Sequence, residues 1–175
     1  VFKVLPGAAT LVDYLALASG RIVVADDKDP PAGAIRFQGA YDGAGKLTGI
    51  AAEGGAAGYA DVVRVMFGYR PDCACIVGFG VIASRETPGI GDRVGVDPAF
   101  LANFAALDVR LDASGSALAN ELQVVRHGTR SQPWQIDAIA GATVTSRAVG
   151  KGINETARVL LPRLAPHLDQ IRSKP

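Results

Sequence analysis

The sequence predicts an α+β fold, an antiparallel meander of strands with helices packed on it. Three observations carry that expectation. Between Ala34 and Ala83, short runs rich in Val, Ile, Phe and Tyr alternate with turn signals. Near the C-terminus Val149, Ile153, Ala157, Leu160, Leu164 and Leu168 recur at spacings of three and four, the stripe of an amphipathic helix. With 175 residues, 49% of them hydrophobic, the chain can fill one core, so residues 1–175 are expected to form a single domain.

Taken in order, Leu11 to Ala18 reads as a short helix, Arg21 to Ala25 as a brief strand, and Asp26 to Gly33, with two adjacent prolines, as a loop. Strands are expected at Ile35–Tyr41, Leu47–Ala51, Asp61–Tyr69 and Cys73–Ala83. They are separated by turns at Asp42-Gly43, Gly54-Gly55 and Pro71-Asp72. Pro98 to Ala106 looks like a short helix with Pro near its first position, and Leu122 to Arg126 like a further strand. The last helix is expected to be regular from about Val144 to Leu161. Pro162 and Pro166 should then limit it and leave a kinked or frayed tail, because each removes a backbone donor and crowds the preceding turn.

The 18 basic and 17 acidic residues nearly cancel and neither sign is clustered, so no nucleic-acid partner is suggested. Cys73 and Cys75 stand two apart in an apolar run. On a strand they would share a face at a separation unfavourable for a bridge, so they read as small apolar residues, with a metal or redox pair as the lesser alternative. His127 and His167 have no partners at metal-ligand spacing, and no metal site is expected. No apolar run approaches the ~20 residues needed to span a bilayer, and no signal-peptide pattern is present. The chain begins at Val1, which leaves room for an N-terminal segment, such as an anchor, outside this sequence.

The chemistry is expected in Asp137 to Ser146, where a loop meets the last helix. Gly141 followed by the small Ala142 permits close approach of backbone to a ligand. First-turn helix amides lack internal partners and carry the positive end of the helix dipole, so a phosphate at Thr143 is physically sensible. The same Thr143, Thr145 and Ser146 are equally ordinary capping residues.

The segment Asp137-Ala138-Ile139-Ala140-Gly141-Ala142-Thr143-Val144-Thr145-Ser146 resembles the flavinylation segment of the RnfG and NqrC subunits of membrane-bound electron-transport complexes. Three further stretches agree with that family in order and spacing. Glu86-Thr87-Pro88-Gly89-Ile90-Gly91 resembles its Glu-Thr-Pro-Gly-Leu-Gly loop, which lies against the flavin in relatives. Gly58-Tyr59 and the apolar run to Gly68 resemble its Gly-Tyr strand, and Val4-Leu5-Pro6-Gly7-Ala8 the opening of its soluble region. Two positions depart from the pattern. Ala140 stands where Ser or Thr is usual, and Ser84 where relatives often carry His, so no proton-handling role is transferred to position 84.

The resemblance implies FMN joined through its phosphate to Thr143, attached from FAD by a transferase of the ApbE type that uses a divalent metal. It implies cofactor contacts from Gly141, Ala142, Val144, Thr145, Glu86, Thr87, Pro88, Gly89, Ile90, Tyr59 and Asp137. Thr143 is then an anchor and no residue is catalytic, since the electron transfer belongs to the flavin. Asp137 reads either as a turn or cap residue or as a recognition element for the transferase. Arg147 and Lys151 either screen the phosphate or are simply solvated. Trp134 and Tyr59 lie either near the flavin or at the core edge. The implied function is an electron relay, with little turnover alone, among the other subunits of an ion-translocating oxidoreductase on the extracytoplasmic face of the membrane. The alternatives are a flavin-bearing sensory module like that of NosR-type membrane regulators, and a binding module that keeps the fold without the cofactor.

Overall fold

The computed structural model describes residues 1–26 and 28–175. Its fold class is the expected α+β. Seven antiparallel strands form one sheet in the order β2-β1-β3-β4-β5-β6-β7. These are β1 (Thr10–Ala16), β2 (Ile22–Val24), β3 (Ile35–Tyr41), β4 (Leu47–Ala57), β5 (Val62–Arg70), β6 (Cys75–Ala83) and β7 (Leu107–Asp108). A short helix α1 (Pro98–Ala102) follows β6. Two strands, β8 (Gln123–Val125) and β9 (Gln135–Asp137), pair in parallel ahead of the long helix α2 (Thr143–Leu164). The described positions of the predicted loop 26–33 are loop, and Asp27 lies outside the described residues.

Several expectations are corrected. Leu11 to Ala18 is not a helix, because Thr10–Ala16 pairs residue for residue with β3, from Thr10 opposite Tyr41 to Ala16 opposite Ile35. A short apolar run satisfies both periods locally, and the strand partner decides. Gly54-Gly55 is not a turn either. It lies inside β4, and the reversal comes at Gly58, whose amide donates to the Asp61 carbonyl at 2.8 Å. Gly54 is there for proximity, since a Cβ on it would meet the Gly152 carbonyl oxygen at 2.3 Å. The first short helix ends at Ala102 rather than Ala106.

The long helix stays α-helical three residues further than expected, through Pro162 to Leu164, and the irregular tail is a 3-10 helix over Ala165–Ile171. An interior proline costs about 3 kcal/mol. Leu160, Leu161 and Leu164, all buried, each contribute about 1.5–3 kcal/mol, so their packing holds the helical path. Tyr41 ties the following segment to the sheet. Its hydroxyl donates to the Ile171 carbonyl at 3.0 Å and shares a 2.6 Å bond with the Tyr14 hydroxyl.

Cys73 and Cys75 do not share a strand. Cys73 lies in the turn before β6, Ala74 takes a left-handed φ of 49°, and the two cysteines form a disulfide with their Cα atoms 5.1 Å apart. The reading of free apolar cysteines, which assumes alternate positions on one extended strand, is thereby overturned.

One face of the sheet packs against α2, burying Phe37, Phe67, Val65 and Val63 with Val149, Ile153, Ala157 and Leu160. The other face is covered in part by the N-terminal segment, whose Val4 and Leu5 cluster with Ala40 and Ala51. The α2–β4 crossing places the start of α2 beside the loop that leaves β6.

Candidate functional site

Glu86 organises this pole. It follows β6, is buried, and accepts from three consecutive backbone amides: Tyr59 at 3.1 Å, Ala60 at 2.9 Å and Asp61 at 3.3 Å. The Thr145 hydroxyl, in the first turn of α2, donates to the same carboxylate. Burial pushes the Glu86 carboxyl up, but the bonds from Thr145, Ala60, Tyr59 and Asp61 outweigh it and hold the group below the usual glutamate range. One side chain thus joins the Gly58–Asp61 turn, the Glu86–Ile90 loop and the N-terminus of α2. These are the three stretches that the sequence sets 25 residues and more apart.

Two glycines permit that convergence. A Cβ on Gly58 would lie 2.6 Å from Glu86 Oε1, and one on Gly91 would lie 2.6 Å from Glu86 Cβ and 2.9 Å from Thr145 Oγ1. The Thr87–Gly91 loop closes on itself, with the Ile90 and Gly91 amides donating to the Thr87 carbonyl at 3.1 and 3.0 Å. Gly89 supplies the positive φ of 77° that this turn requires. Ile90 is left exposed at the surface together with Tyr59 and Val144.

No side chain caps α2 at Ala142. The Ser146 amide is the first in the helix to find its backbone acceptor, the Ala142 carbonyl at 3.0 Å. Ser146 Oγ turns back to that carbonyl at 2.8 Å and accepts from the Ile139 amide at 3.1 Å. With Thr145 and Ser146 buried and engaged inward, half-buried Thr143 is the hydroxyl of this turn left at the surface. The turn into the helix is made by Gly141 at φ 82°. Unpaired first-turn amides, a surface hydroxyl and the exposed apolar side chains of Tyr59, Ile90 and Val144 on the three joined stretches suit a ligand with an anionic tail and an apolar body.

Asp137 sits elsewhere. Its Oδ1 accepts from the Gly128 and Thr129 amides at 2.8 and 3.3 Å. Its own amide and carbonyl are held by the Asn103 side chain at 2.9 and 3.2 Å. This carboxylate shapes the 126–130 loop behind the Thr143 segment. Asn103, buried and also bonded to Arg130 at 3.1 Å, is not anticipated by sequence reasoning. Its only sequence signal is a polar residue inside a predicted helix.

Beside Thr143, a cavity of about 390 Å³ lies between α2 and β8, lined by Ala57, Leu122, Val124, Val144, Arg147, Ala148, Lys151 and Asn154. Arg147 and Lys151 are exposed at its rim, Lys151 reaching Glu155 at 3.8 Å. Trp134 is half-buried and Pro88 and Thr87 are exposed.

Residues 58–158 match the family model of the FMN-binding domain. A subunit of the Na(+)-translocating ferredoxin:NAD(+) oxidoreductase complex of Acetobacterium woodii is 34% identical over 117 residues, covering 66% of this chain and 50% of that protein. A subunit of the ion-translocating oxidoreductase complex of Methanosarcina acetivorans is 29% identical over 126 residues, 72% of this chain and 57% of that protein. The chain spans about half the length of the curated relatives it matches. Among solved structures, NqrC of Shewanella oneidensis superposes with a TM-score of 0.68 at 22% identity, covering 92% of this chain and 83% of that one, a likeness of fold.

Proposed function

Because the chain belongs to the FMN-binding domain family, we propose that it carries FMN joined by a phosphoester to Thr143 and serves as an electron-relay domain. The observation that carries this reading is the Glu86 junction. By drawing three separated stretches onto one carboxylate, it brings a surface threonine, unpaired helix amides and stretches bearing exposed apolar side chains to one pole.

Each group then has a physical task. The α2 amides bind the phosphate oxygens, and the helix dipole favours their charge without a dedicated basic pocket. Thr143 holds the cofactor at fixed stoichiometry. Tyr59, Ile90 and Val144 offer apolar surface to the ring, and Gly141 lets the backbone approach it. Arg147, one turn along α2, adds positive charge at the same end. When bound, FMN supplies the electron transfer itself. A threonine hydroxyl is a weak nucleophile, so attachment requires an activating enzyme, proposed as a transferase using FAD. Asp137 acts by shaping the segment that such an enzyme must grip.

The relatives' names supply the context: they are subunits of ion-translocating oxidoreductase complexes. The proposed partners are the other subunits of such a complex. The position proposed with that assembly is the extracytoplasmic face of the membrane.

The test is the intact mass of the chain produced with and without a co-expressed flavin transferase. An FMN-sized increase is expected only with the transferase, lost in Thr143→Val and retained in Thr143→Ser. Absence of the increase in both preparations, or its survival in Thr143→Val, sinks the proposal.

A further inference from the structure

The Cys73–Cys75 disulfide lies at the far end of β6 from Glu86, roughly 25–30 Å away for an extended strand of this length. It has no part in the site above. We propose that it is a thiol–disulfide exchange site, a second redox couple that trades two electrons with an external dithiol.

Three features of the turn point to this. The bridge joins residues only two apart, and the constraint a disulfide places on the unfolded chain shrinks with the loop it closes, so it adds little to the stability of the fold. Between the two cysteines, at the end of the hairpin loop, Ala74 takes φ 49° and is the one non-glycine residue with positive φ among the described residues. On this proposal, opening the bridge lets Ala74 leave the left-handed region, which costs a residue with a Cβ more than it costs glycine. Finally, the two sulfurs differ in access, since Cys73 is exposed and Cys75 is buried. Strained and exposed disulfides are the labile ones.

The surroundings let the bridge open without unfolding. Cys75 and Ile76 stay paired with Asp108 and Leu107 across β6 and β7, the Val109 amide donates to the Ala74 carbonyl at 3.1 Å, and Arg70 pairs with Asp72 over the turn. A thiolate of the incoming dithiol attacks the accessible Cys73 sulfur. The sulfur–sulfur bond breaks, and its electron pair leaves on Cys75, which takes up a proton. The partner's second thiol then attacks the mixed disulfide and releases Cys73 as a thiol. The chain has gained two electrons and two protons, and the partner has become a disulfide.

The test equilibrates the folded chain in mixtures of reduced and oxidised glutathione, quenches with acid, alkylates with N-ethylmaleimide and weighs the intact protein. A reversible step between no adduct and two adducts is expected without denaturant. Ala74→Gly, which tolerates positive φ, should move the midpoint towards the disulfide. Ala74→Val, which tolerates it less than Ala, should move it towards the dithiol, each by roughly five-fold. The proposal is overturned if glutathione reduces the wild-type bridge only when denaturant is present during equilibration, if raising oxidised glutathione before the quench never restores the unlabelled mass, or if Ala74→Gly leaves the midpoint unchanged or shifts it towards the dithiol.

Discussion

Glu86 shows how much one side chain can decide. Its carboxylate is the acceptor for three loop amides and a helix hydroxyl, so its charged form is favoured in the folded chain. Its folded pKa lies below the unfolded one, which means the stabilisation is intact above about pH 4.3 and is lost as the pH falls through the depressed folded value. Urea midpoints measured between neutral and acid pH should therefore drop on acidification, and in Glu86→Gln the drop should be smaller. At neutral pH that variant should be less stable by about 2 kcal/mol, the typical worth of a hydrogen bond to a buried charge. An unchanged pH profile in the variant would mean the junction is held by other contacts. The Glu-Thr-Pro-Gly stretch can be picked out in the sequence, but its partners cannot. Backbone amides of residues 59–61 leave no mark on residue identity. Asp137 makes the same point from the other side, because its identity is legible while its target, the 128–129 amides, is not.

At the scale of elements, the crossing of α2 over β4 is set by glycines facing each other. Gly54 would place a Cβ 2.3 Å from the Gly152 carbonyl oxygen, and Gly152 would place one 2.9 Å from the Gly55 nitrogen. Backbone on both sides leaves no flexible neighbour to yield, so Gly54→Ala should cost about 3 kcal/mol or more. It should also shift α2, with the start of the helix moving relative to Glu86. Chemical denaturation checks the first effect and reduced flavin attachment at Thr143 the second. A variant as stable as wild type would show that the helix rides higher over the sheet than these contacts require. Pro162 lies inside α2 where it removes one backbone donor. Pro162→Ala should therefore stabilise the chain, by about 1 kcal/mol once lost proline packing is offset, seen as a higher urea midpoint at unchanged slope. Local rules read the glycine pair as a turn and the proline as the limit of regular helix, and packing overrides each.

For the molecule as a whole, two layers flank the sheet: α2 on one face and the N-terminal segment on part of the other. Leu5 is buried against the sheet, where Gly49 and Gly68 leave room for it, their added Cβ atoms falling 2.6 and 2.9 Å from its side chain. Leu5→Ala should cost about 2–4 kcal/mol, and dye binding to exposed apolar surface should rise. Stability within about 0.5 kcal/mol of wild type, the range of surface substitutions, would show that this segment is an appendage. Periodicity, turn chemistry and a contiguous motif were enough to specify the meander from Ile35 onward, the long helix with its Leu and Val stripe, and Thr143 at a phosphate-suited helix start. Only the folded structure settled that Thr10–Ala16 is a strand, that α2 passes through Pro162, that Cys73 and Cys75 are bridged across a hairpin loop, and that Glu86 gathers three distant stretches beside Thr143. Each of these depends on a partner far away in the chain or on a backbone angle, and the energy of such a contact is not carried by either residue alone.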